Sequence, residues 1–240
     1  MKETIIFKKQ RDLGAILSDT FKFIRLQWKP LFGLIIRIAG PALILLVLAY
    51  VFYMQSAFGA IGMANSNPLF ISGADFGVTM ILALLLILLT GIVYYALMYG
   101  TVMYAIQSYI KNNGTIVKEE VTTNIRHNFW GLLGTSTLIM LMIAAGAVFC
   151  VLPGIYFGVV LASTFAVFAF EKRGVTDSIS QSFNLIKGEW WITFATLLVI
   201  GLLYYLIMFI FQVPQYIYFF IKMFTVAQTA TVDPASLFDW

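Results

Sequence analysis

The stretch that decides the fold is FWGLLGTSTLIMLMIAAGAVFCVLPGIYFGVVLASTFAVFAF, residues 129–170, which contains no Asp, Glu, Lys or Arg. One bilayer crossing by an α-helix needs only about 20 apolar residues, so this run is long enough for two. Pro153-Gly154 lies near its middle. Proline cannot continue a helix but suits a first turn, so the run reads as a hairpin of two membrane spans. Gly154, Gly158, Ala162 and Ala166 recur every four residues along its second arm. Small residues on one helical stripe let a neighbouring helix approach closely, and this stripe is expected to be a packing face.

The rest of the 240-residue chain matches this reading. It is 61% apolar and only 11% charged, with a mean hydropathy of +0.91. A soluble domain is nearer 45–50% apolar and about 25% charged. Lipid is the solvent that accommodates the surplus. The first span is expected within Leu31–Met54, interrupted by Arg37 and Gly40-Pro41, and the second within Phe76–Tyr109. The second is too long for one perpendicular crossing, so it tilts or extends beyond the membrane. The fifth runs from Trp191 to Phe211, and the short apolar Tyr216–Phe224 segment past Pro214 reads as its continuation or as an interfacial piece. The expected fold is therefore all-α, a polytopic helical membrane bundle with five spans in a single domain, residues 1–240.

Orientation follows the distribution of lysine and arginine in short loops. Residues 1–29 carry seven of them, and 110–128 and 171–190 carry three each, whereas 55–75 and the Cys150–Gly154 turn carry none. That alternation predicts a cytoplasmic N-terminus. It also accounts for the +4 net charge without nucleic acid. Met1–Leu13 lacks the apolar core of a signal peptide. The single cysteine, Cys150, sits in an apolar run and reads as a small packing residue.

The basic segments share a design. Thr20-Phe-Lys-Phe-Ile-Arg-Leu-Gln-Trp28 aligns with Ser182-Phe-Asn-Leu-Ile-Lys-Gly-Glu-Trp190, and Ile125-Arg-His-Asn-Phe129 is a fainter copy. Each leads into a span. In the first copy the apolar Leu13, Ile16, Leu17, Phe21, Ile24 and Trp28 fall on one helical stripe. Basic amphipathic helices ending in an aromatic residue suit the membrane interface. Three cytoplasmic interfacial helices are expected, capped by Asp12, Thr115 and Thr176, in repeat-like units 12–109, 115–170 and 175–228. Arg25, Arg126 and Lys187 occupy matching places, where each could contact an anionic lipid headgroup.

Three elements of the last unit carry a family resemblance: Leu152-Pro-Gly-Ile-Tyr156, Phe170-Glu-Lys-Arg-Gly174 and the Ser182–Trp191 segment. With the opening Asp12-Leu-Gly-Ala-Ile-Leu-Ser18, they resemble the membrane domain of the bacterial glycerophosphoryl diester phosphodiesterase membrane-domain family. The resemblance implies a multi-pass protein of the bacterial cytoplasmic (inner) membrane. That family usually has a further span past the position of Trp240, which implies an atypical last unit here. Its name comes from fusions to a soluble phosphodiesterase domain that this chain does not contain, so the resemblance implies no activity.

Candidate polar sites are few. Arg37 is the one arginine within a predicted span; an intramembrane charge points to function unless it snorkels to the interface, and here the interface is within reach. His127, the only histidine, and Glu171 read as interfacial groups, and Glu119-Glu120 as solvated carboxylates. Tyr94, Tyr95, Tyr99, Tyr204 and Tyr205 are expected to make interhelical hydrogen bonds or to line a polar cavity. No phosphate-binding loop, nucleophile–base set or metal-ligand cluster is present in the sequence, so no catalytic residue, metal or cofactor is expected. The leading functional expectation is a non-enzymatic membrane scaffold or subunit whose partners are lipids and other membrane subunits. The alternative is a carrier of lipid or another hydrophobic substrate.

Overall fold

A computed structural model describes residues 13–66, 73–149 and 151–228, and every regular element among them is a helix. In chain order they are α1 (Leu13–Ile38), α2 (Gly40–Ser66), α3 (Gly73–Lys111), α4 (Lys118–His127), α5 (Phe129–Phe149), α6 (Val151–Leu161), α7 (Thr164–Glu171), α8 (Val175–Ile186) and α9 (Trp190–Gln228). Five stretches are long and apolar enough to cross a membrane: Gly40–Ala57, Phe76–Lys111, Phe129–Phe149, Val151–Glu171 and Trp190–Thr225. The chain is a polytopic helical membrane bundle.

The helices break where the backbone chemistry requires it. Pro41 has no N–H to offer Arg37, and its ring crowds that carbonyl. The first apolar run therefore divides at Ala39, although Ala39 N–H still donates to Ile35 O and Leu43 N–H to Ala39 O. Pro30 has a similar effect within α1, where Gln27, three residues before it, leaves helical geometry at φ −118°, ψ 15°. The predicted Leu31–Met54 span is accordingly two helical pieces. Pro214, by contrast, is absorbed within α9, so Tyr216–Phe224 continues that helix.

α3 is the central element. At about 1.5 Å per residue its 39 residues run about 58 Å, roughly twice the hydrocarbon thickness. Its two ends differ. Leu82 and Leu89 near its start are exposed, whereas Tyr104, Ala105, Ser108 and Tyr109 near its end are buried. α1, α4 and α7 sheathe that end, where Phe23 meets Tyr109 edge-on at 5.2 Å between ring centres. One apolar cluster joins the parts, including Leu34 of α1, Ala96 and Tyr104 of α3, Val121 and Ile125 of α4, and Leu132 of α5. Tyr95 and Tyr99 pack their rings on the buried Phe165 of α7, at 5.6 and 5.1 Å.

The fourth span corrects the expected small-residue stripe. It is broken at Ala162-Ser163, between α6 and α7. Gly154 is buried, and a Cβ there would lie 3.1 Å from the Cα of Ala147 on α5. Gly158 has open space, Ala162 is exposed and Ala166 is half-buried. The four residues do not form one packing face: contact is already lost at Gly158 within α6, and the helix breaks at Ala162 before Ala166.

α8 packs against α7, α6 and α5, and the face it turns inward carries Ser178, Ser182 and Ile186. Ser182 Oγ donates to the Val160 carbonyl at 2.5 Å and lies 2.6 Å from Ser163 Oγ. It thus satisfies a carbonyl that the α6–α7 break releases. The third basic segment therefore meets the protein with hydroxyls, while Leu185 stays outside. The expected caps also change. Val117 precedes α4 and Gly174 precedes α8; Thr115 Oγ1 instead donates to Asn112 O at 2.9 Å. Asp12 and Cys150 lie outside the described residues.

Opposite outcomes are expected on the two halves of the stripe. Gly154→Val should cost about 1–3 kcal/mol of packing, read as a lower thermal midpoint in detergent. Ala162→Phe, at an exposed site, should leave the midpoint within the scatter of the parent.

A polar cleft at the basic end of the bundle

The end of the bundle that bears the basic segments holds a cleft of about 680 Å³. Its walls are the last turns of α3, the length of α4 and the C-terminus of α7. α3 contributes Tyr104, Gln107 and Lys111; α4 contributes Glu120, Asn124 and His127, with Asn128 following; α7 contributes Phe168, and Lys172 and Arg173 follow it. The volume lies within the usual range for ligand sites, about 300–1,000 Å³.

Side-chain bonds between elements fix these walls. Gln107 donates from its amide to the Ala169 carbonyl at 2.9 Å, joining α3 to α7 near the end of α7, where helix carbonyls lack helical partners. Glu120 joins α3 to α4. Its carboxylate accepts from Lys111 Nζ at 2.5 Å, from Asn112 Nδ2 at 2.8 Å and from Ser108 Oγ at 3.1 Å. Ser108 Oγ also accepts from the Val117 backbone N–H at 3.1 Å, just before the first turn of α4. Glu120 was expected to be solvated and is instead the centre of a four-residue network. The signal in the sequence was the Ser108, Lys111 and Asn112 spacing, which places all three on one helical face. Lys111, and then Asn112 and Ser108, hold the Glu120 carboxyl below its ordinary value near 4.5, and partial burial opposes them.

Glu171 accepts from Arg173 Nε at 2.6 Å. Lys172 between them adopts the left-handed conformation, φ 52°, ψ 36°. His127 is exposed at the cleft. Gln27 reaches over from α1 and donates to the Gly114 carbonyl at 3.3 Å, so the first basic segment is tied to the α3–α4 connection.

The remaining predicted residues lie elsewhere. Arg37 is exposed in the last turn of α1. Arg25 and Lys187 are also exposed, on separate elements. Arg126, likewise exposed, borders a second groove of about 400 Å³ whose other walls include Ile38, Leu97, Ile125, Phe129 and Trp130. Tyr204 and Tyr205 are exposed on α9. Among the described residues, no group of three or more His, Cys, Asp or Glu is placed to hold a metal ion. Comparison with family models, with curated proteins and with solved structures finds no match to this chain.

Because its pKa is depressed on folding, Glu120 contributes stability above pH 4.5. That contribution is lost as pH falls through the lowered folded value. Glu120→Gln should lower the thermal midpoint at neutral pH. It should also flatten the decline in midpoint measured on acidification below pH 4.5, because the residue no longer titrates.

Proposed function

We propose that this chain is a non-enzymatic subunit or scaffold of a larger assembly in a bacterial cytoplasmic membrane, with its N-terminus and basic end in the cytoplasm. The class is that of the membrane domains its sequence resembles, and the side assignment rests on the lysine and arginine alternation. The observation that carries the reading is α9. No residue in its apolar window Trp190–Thr225 is buried. It packs chiefly on α6, where Trp190 stacks on Tyr156 at 6.0 Å.

Lipid alone is a poor cover for this helix. Gln212 lies in its apolar middle, and Tyr216 donates to the Gln212 side-chain oxygen at 3.0 Å within the same helix. That bond leaves the Gln212 amide N–H groups seeking acceptors. A polar amide in hydrocarbon without partners is costly, and such side chains commonly bond across helix interfaces in membranes. Tyr204 and Tyr205 add two more hydroxyls nearby. The partner is therefore a transmembrane helix that offers hydrogen-bond acceptors at the depth of Gln212.

A second reading, a lipid-binding or lipid-carrying protein, draws on the Arg126 groove. An exposed guanidinium at one edge of an apolar trough suits the headgroup and acyl chain of an anionic lipid. Arg25 and Lys187 would then be further headgroup contacts that set how deep the basic segments sit.

Two measurements test the assembly reading. With Cys150 replaced by Ser, a thiol at Ser66 should react with an impermeant reagent applied to intact cells, and one at the exposed Ser180 should not; the reverse would invert the topology. A photo-crosslinker at Tyr205 should capture another membrane protein or a second copy in the native membrane. Gln212→Leu should weaken that capture without lowering the thermal midpoint of the isolated chain. Crosslinks to lipid alone would favour the second reading.

A further inference from the structure

We propose that the cleft between α3, α4 and the end of α7 binds a phosphate group, with Lys172 as its principal cation. The first argument is charge. Among the cleft's charged groups, Lys111 is paired with Glu120 and Arg173 with Glu171. Those two pairs cancel, and Lys172 is left over. No ion pair to Lys172 occurs among the described residues. An anion entering the cleft supplies the missing charge.

The second argument is conformational. Lys172 and Asn113 are the two non-glycine residues at positive φ among the described residues. Asparagine visits that region readily, but a long unbranched side chain pays a steric penalty there. Glycine is the usual residue where a helix ends in the left-handed conformation, and a glycine is available two positions on, at Gly174. Lysine at 172 is thus a costly choice for the backbone. Its return is an ammonium group on the wall of the cleft.

The third argument is geometry. Donors come from three separate elements: the Lys111 N–H groups on α3 that Glu120 does not take, His127 on α4, and Lys172 after α7 with the Arg173 N–H groups that Glu171 does not take. A tetrahedral oxyanion accepts hydrogen bonds from several directions at once. A planar carboxylate is best met by one forked guanidinium, and here the Arg173 guanidinium is engaged by Glu171. Gln107 and Glu120 hold the walls in register through bonds that do not use the free cation. The phosphate could belong to a soluble metabolite or to the headgroup of an anionic lipid. The inference stands whether or not α9 docks a partner.

The test uses the full chain in a maltoside detergent, which carries no phosphate. Inorganic phosphate should raise the thermal midpoint in a saturable way, and acetate at equal ionic strength should not. Added short-chain phosphatidylglycerol is the second arm. A response to it without a response to free phosphate assigns the lipid source, and a response to free phosphate assigns the soluble one. Lys172→Gly should keep or raise the midpoint without ligand, because glycine relieves the backbone. It should weaken the response about tenfold, the loss of one charge-assisted hydrogen bond. Lys118→Ala, an exposed cation outside the cleft, should leave the response intact. The proposal fails if neither probe is bound, if acetate matches phosphate, or if Lys118→Ala weakens the response as much as Lys172→Gly.

Discussion

In a bilayer a peptide group has no water to bond with, so every N–H and C=O must find its partner inside the protein. A chain of uninterrupted helices meets that demand trivially. Helices of this chain break at Ala162-Ser163 and end at Lys111 and Glu171, and side chains from other helices bond carbonyls at or beside these points. Ser182 of α8 bonds the Val160 carbonyl at the α6–α7 break. Gln107 of α3 bonds the Ala169 carbonyl near the end of α7. Gln27 of α1 bonds the Gly114 carbonyl in the α3–α4 connection. Each repair comes from a different helix, so mending the backbone also docks the helices.

The same constraint separates the two ends of the molecule. At the basic end, α1, α4 and α7 crowd around α3, α8 packs on α7, and polar side chains serve as caps and ties. Glu120 is the densest of these points, because one carboxylate accepts from Lys111, Asn112 and Ser108. Away from that end the helices present apolar side chains outward, and close contact depends on small residues. The approach of Gly154 to the Ala147 backbone, 3.1 Å from where a Cβ would sit, is the clearest case. α9 belongs to neither regime, since it is long, aromatic and unburied.

The basic segments are alike in sequence but packed differently. Gln27 and Asn128 occupy matching places before a span and share nearly the same backbone angles, φ −118°, ψ 15° and φ −103°, ψ 16°. Val121 and Ile125 of α4 and Ser182 and Ile186 of α8 occupy matching, buried places. At the first of these places the inward side chain is aliphatic in α4 and hydroxylic in α8, where Ser182 bonds the Val160 carbonyl beside the α6–α7 break.

Composition and the 129–170 run determined the solvent of this protein, its helical class and its number of crossings, because transfer to lipid depends on the sum of side-chain polarities over about 20 residues. Prolines at 41 and 153 marked breaks for the same local reason, a missing N–H. The Gly154 to Ala166 spacing marked a stripe, but a spacing assumes one straight helix. Only the fold revealed that Gly154 alone of the stripe meets a close neighbour, and that the helix itself breaks at Ala162-Ser163. The cleft was also invisible in sequence. Lys111, His127 and Lys172 are far apart along the chain, and Glu120 looks like an ordinary solvated acid beside Glu119. Their meeting depends on how α3, α4 and α7 pack, and that is set by contacts between distant side chains, which no local pattern records.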